Sequence, residues 1–157
     1  MNYDSTEDTI NHRDIVRYNI DILTTELHNR GVAHDATKLG VIEKPIFDKH
    51  TPELKTLVYG SPEYKKSLEG LGVALAHHYE HNSHHPEHFE NGMNGMTLID
   101  LMELFCDWCA STMRHETGDI IKSIHLNKDR FGYGDVLENI MLNTAKKYGM
   151  GAKANEL

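Results

Sequence analysis

The sequence predicts an all-α protein, a single compact domain of about six to seven helices around a metal site. Three observations predict it. Apolar residues recur at three- and four-residue spacing along most of the chain. The stretches that carry this spacing are bounded by residues that start and stop helices. Histidine, present 12 times in 157 residues, is concentrated between His77 and His88, with His50 upstream.

The first helix is expected over about residues 8–29. Asp8 or Ser5 can cap it, apolar residues follow at Ile15, Val16, Ile22, Leu23 and Leu27, and Gly31 follows the end. On this wheel His12 shares a face with Ile15 and Val16, so its imidazole is expected to point inward. Val-Ala-His34-Asp35-Ala-Thr-Lys38-Leu reads as a second, short helix with His34 and Asp35 in its first turn. The segment around Pro45 and Pro52 reads as short helical pieces and turns, because each proline disfavours helix at the residue before it.

Ser61-Pro62-Glu63 combines a capping serine, a proline in the first turn and an acid at the positive end of the helix dipole. It should start a helix that runs to about Glu80. His81 to Met96, rich in Pro, Gly and Asn, reads as a histidine-bearing loop. Thr97 caps a strongly apolar helix reaching about His115, with Gly118 beyond its end, and further helices are expected near 119–130 and 134–148. No repeat or linker divides the chain, and frayed ends are expected at about 1–6 and 149–157.

Composition narrows the functional classes. Hydrophobic residues make up 39% and charged residues 25%, the balance of a globular domain. A chain of this length buries about two-thirds of its surface on folding without a disulfide or zinc staple. The opening Met1-Asn-Tyr-Asp-Ser-Thr-Glu-Asp8 lacks the basic and apolar order of a secretory signal. Asp100, Glu103 and Asp107 interrupt the most apolar stretch before it reaches membrane-spanning length. A cytoplasmic protein is expected, with homo-oligomerisation left open. Sixteen basic against 24 acidic residues leave a net charge of −8, which disfavours long nucleic acid. A small phosphate-bearing ligand remains compatible if metal cations supply positive charge.

Asp100, Glu103 and Asp107 stand at i, i+3 and i+7, one seam of a helix whose other positions are apolar. Carboxylates on such a helix are costly unless paired or bound to a cation. Imidazoles and carboxylates together suit Zn, Mn, Fe, Co or Ni. His77 and His78 point about 100° apart on a helix, so at most one of them is expected to share a given metal. Cys106-Asp-Trp-Cys109 lies mid-helix, where paired thiols are structural and not a redox site.

In chain order the ligand types are His12, His34-Asp35, His77-His78 and Asp107. This order resembles the HD superfamily of metal-dependent phosphohydrolases. The local words are similar too: Val-Ala-His34-Asp35-Ala-Thr-Lys38 to the family's His-Asp-x-x-Lys, and Phe-Cys-Asp107-Trp to its later Asp helix. His77-His78-Tyr-Glu80 is similar to the His-His-Glu stretch of two-metal HD phosphodiesterases, with His50 in the place of an earlier ligand. The Gly-Tyr-Pro of those enzymes is absent, and Asn82-Ser-His84-His85-Pro86-Glu87-His88 stands instead, so their cyclic-dinucleotide specificity does not carry over. Nearly the whole chain resembles small, uncharacterised, often phage-encoded HD-like proteins with a His-His-Pro-Glu-His motif.

The resemblance implies one or two divalent transition ions held by His12, His34, Asp35, His77 or His78, and Asp107. Lys38, Glu80, His84 and His85 are the expected catalytic groups. His50, Glu87, His88, Asp100 and Glu103 are expected to support the ligands or to hold a second ion. Arg114, i+7 from Asp107, is expected either to reach the same groove or to form a surface ion pair. The expected activity is hydrolysis of a nucleotide or related phosphate ester by metal-activated water. The alternative is a non-catalytic metal- or nucleotide-binding regulatory module on the same scaffold.

Overall fold

A computed structural model describes residues 3–54, 56–58, 61–114 and 118–151. Among them are seven α-helices, three 3-10 turns and no strand, as the helical periodicity predicts. The chain, expected as one domain, divides by its internal packing into two compact units, Met1–His34 and Asp35–Leu157.

The first unit is α1, Thr6–Ala33, longer at both ends than the apolar periodicity suggested. Its acidic first turn (Glu7, Asp8) and Arg30 in its last turn complement the helix dipole. None of its residues is buried, so the inward face expected for His12, Ile15 and Val16 is not realised. The reason lies in the distribution of apolar residues. Ile15, Tyr18 and Ile22 lie on one side and Val16, Ile20 and Leu23 on another, so no single stripe defines an inside.

In the second unit, α5 (Leu98–Met113), α6 (Ile120–Phe131) and α7 (Asp135–Tyr148) build the main core. Leu104, Phe105, Trp108 and Cys109 of α5 pack against Ile120 and Ile124 of α6, Tyr133, and Met141 and Ala145 of α7. The Trp108 ring stacks on Phe131, with centroids 6.2 Å apart and 8° between planes. Gly132 stops α6 in the left-handed region, φ 68°, where a side chain would be strained. Thr97 starts α5 with a capping box, accepting from the Asp100 backbone N–H while the Asp100 carboxylate accepts from the Thr97 N–H.

Two expectations are corrected. The segment around the prolines is one helix, α2, Lys44–Leu54. Pro45 sits in its first turn, where no intrahelical donor is lost, and Pro52 in its last, where only one is. The helix expected from Ser61 to about Glu80 is two, α3 (Pro62–Glu69) and α4 (Gly72–His81). Gly70 and Gly72 weaken helix on either side of Leu71, whose side chain is buried. Gly70 is also required sterically, because a Cβ there would fall 2.5 Å from the His50 ring.

Candidate metal centre

His34 and Asp35 precede a single 3-10 turn, Ala36–Leu39, and do not lie within a helical first turn as expected. Asp35 takes the left-handed conformation, φ 57°, which aspartate tolerates better than most residues. It makes no capping hydrogen bond; its carboxylate is turned toward the end of α4 and the loop that follows. Pro86–His88 form a second 3-10 turn, which His84 approaches in a turn and His85 enters in extended backbone.

Four donors converge there, one each from Asp35, His78, His84 and His85, all within 4.8 Å of one another. Nε2 of His78 lies 3.1 Å from Oδ1 of Asp35 and 3.0 Å from Nε2 of His85. Nε2 of His84 lies 3.6 Å from the same Asp35 oxygen. His78 and His84 are each 1% exposed, so these are interior imidazoles and not a solvated loop. His85 is held neutral, its pKa pushed down to about 3 by burial first and then by His84 and His78, with Asp107 opposing and Lys38 reinforcing. Two imidazole nitrogens at 3.0 Å must share a proton or a cation.

The far side of each buried ring rests on a carboxylate. Nδ1 of His84 is 3.1 Å from Oε1 of Glu103, and Nδ1 of His78 is 2.9 Å from Oε2 of Glu43. A carboxylate on one ring nitrogen fixes the tautomer and leaves the other nitrogen free to bind metal. Burial alone would raise the Glu43 carboxyl, yet its pKa is lowered, because the hydrogen bonds it accepts from His77, Thr37 and His78 and the electrostatic attraction of the His78 ring outweigh that effect.

Residues 1–148 match the model of a family of unknown function, DUF5662. The chain belongs to that family. No curated protein and no solved structure matches it.

In this member of the family, the expected site residues separate clearly. Asp35, His78, His84 and His85 come together, and a donor of Asp107 lies within 4.8 Å of one of His84. Lys38 joins them through its Nζ, 2.5 Å from Oδ2 of Asp35. Glu103, on the acidic seam of α5, contacts Nδ1 of His84. Between the two adjacent histidines, His78 enters the cluster; His77 turns to Oε1 of Glu43 at 2.7 Å and stacks on His81 at 4.2 Å.

His12 and His34 belong to the first unit, His12 exposed on α1 and His34 at its C-cap. Within the second unit, other expected residues have different partners. His50 lines a separate cleft of about 500 Å³ with Glu53, Glu63, Lys66 and Ser67. Asp100 is occupied by the capping box and by Ser83 Oγ, which donates to it at 2.6 Å. Glu87 pairs with Arg130 at 2.6 Å, and His88 bonds the Tyr79 carbonyl. Glu80 and Arg114 are exposed, and Arg114 donates to Ser111.

Glu43 was not foreseen. It stands in Gly-Val-Ile-Glu-Lys-Pro, immediately before α2, where an acid reads as a helix-start residue. Only its complete burial reveals another role.

Proposed function

We propose that this chain is a metal-dependent phosphohydrolase acting on a nucleotide or related phosphate ester. The observation that carries the reading is the convergence of Asp35, His78, His84 and His85. Carboxylate and imidazole donors on buried, carboxylate-backed rings are the donor set that Mn, Fe, Co, Ni or Zn takes. When bound, such an ion polarises a phosphoryl oxygen and acidifies water. Lys38, whose side chain is 36% exposed beside Asp35, holds a phosphate oxygen by charge. With a chain at −8, an anion is retained only where cations reverse the field locally.

A second reading rests on a different feature of the same cluster. Three imidazoles and one carboxylate are four protein donors, enough to close a tetrahedral zinc site with no position left for water. In that case the protein binds metal without turnover.

One experiment separates the two. Protein loaded with Mn, Co, Ni, Fe or Zn is offered nucleoside mono-, tri- and cyclic phosphates, and phosphate release or diester opening is measured. Turnover that disappears in His78→Gln supports hydrolysis. Tight metal binding without turnover for every ion and substrate supports the closed site.

A further inference from the structure

We infer that Glu43 is the positioning residue that sets the ring tautomer of His78, using its two oxygens to hold adjacent histidines of α4 in opposite roles. The inference deepens the proposed metal centre and rests on it for the claim that Nε2 of His78 faces the ion. The hydrogen-bond pattern carries it. The amide of Asn82 donates to the Thr37 hydroxyl at 2.9 Å and to the His78 carbonyl at 2.8 Å, which engages both of its protons. The Thr37 hydroxyl in turn bonds Glu43. Nδ1 of His78 lies 3.1 Å from both Thr37 Oγ1 and Asn82 Nδ2, whose protons are engaged by Glu43 and by these other acceptors, and 2.9 Å from a Glu43 oxygen, so Nδ1 is the nitrogen that donates to the carboxylate. Nδ1 of His77 meets the other oxygen at 2.7 Å on the same terms.

Glu43 is fully buried and accepts from three side chains, His77, Thr37 and His78. An ionised carboxylate can accept from both rings at once; a neutral amide cannot, having one acceptor and one donor end. His77 is 24% exposed on its side chain, so its second nitrogen can be hydrated if its tautomer changes. His78, at 1%, cannot be hydrated, and its Nε2 is committed to Asp35 and His85.

The test uses the full chain labelled with 15N-histidine, with Zn titrated against a competing chelator. In the wild-type protein both rings are expected to carry the proton on Nδ1. In Glu43→Gln the amide oxygen stays with His78, His77 switches to the Nε2–H tautomer, and Zn affinity stays within about tenfold of wild type. In Glu43→Leu the His78 tautomer is no longer fixed and Zn binds about 10- to 100-fold more weakly. A folded Glu43→Leu protein with wild-type tautomers and affinity overturns the inference. If that variant does not fold, Glu43→Gln decides: both rings keeping Nδ1–H overturns it. Wild-type protein that takes up no Zn, yet shows the tautomer switch in Glu43→Gln, supports positioning by Glu43 and removes the metal reading, so the two failures are told apart.

Discussion

Nδ1 of His84 lies 3.1 Å from Oε1 of Glu103, and both side chains are almost wholly buried. The contact joins the loop after α4 to the middle of α5, and it turns Nε2 of His84 toward Asp35. Glu103→Ala is expected to leave α5 helical while lowering retained transition metal, with affinity falling about 10- to 100-fold. Metal analysis of the purified variant against wild type, with circular dichroism as the folding control, checks it.

Asp35 combines a place in the donor cluster with a left-handed backbone, so its substitutions separate the two effects. Asparagine tolerates φ 57° and keeps one oxygen but loses the charge; alanine also strains the backbone. Asp35→Asn is therefore expected to hold its metal-free melting temperature near wild type and to lose most of the rise that added metal produces. Asp35→Ala should be lower in both. Thermal melts with and without Zn or Ni give the answer, and a full metal-induced rise in Asp35→Asn would remove Asp35 from the ligand set.

Lys38 contacts the same carboxylate through its ammonium, which metal does not choose at neutral pH. Lys38→Ala should keep the metal and weaken binding of inorganic phosphate or a nucleotide. Calorimetric titration of the metal-loaded protein checks the prediction; equal phosphate affinity in the two proteins would return Lys38 to a purely structural ion pair.

Burial is the largest cause that raises the Cys109 thiol, from an ordinary 9.0 to about 12, and it raises Cys106 as well. Because the folded-state pKa lies above the unfolded one, the stability linked to Cys109 is intact below about pH 9 and is lost progressively as pH rises toward 12. Cys109→Ala should be less stable at neutral pH, because a buried side chain is truncated, but should lose less of its stability between pH 8 and 10.5. Denaturant melts across that range test the sign: equal alkaline slopes in both proteins would contradict it.

Helix content, the Thr97 start of α5 and the histidine loop were legible in the sequence because each depends on residues within a turn or two. The acidic seam was legible for the same reason, as was the concentration of ligand types at 34–35 and 77–88. From the angular step of a helix, the sequence by itself also set that at most one of His77 and His78 would enter a given donor cluster.

Only the tertiary structure decided which one. Glu43 draws Nδ1 of both rings, and its placement leaves His78 facing Asp35 and His85 while His77 stacks on His81. The same holds for the fate of the seam, where Asp100 serves the capping box and Glu103 serves His84. It holds for His50, drawn into a cleft beside Gly70, and for His12, left exposed on α1. Spacing along a chain fixes which residues share one face of one element. Convergence of residues 35, 78, 84 and 85 depends on how a turn, a helix end and a loop pack against α5, and no local periodicity encodes that packing.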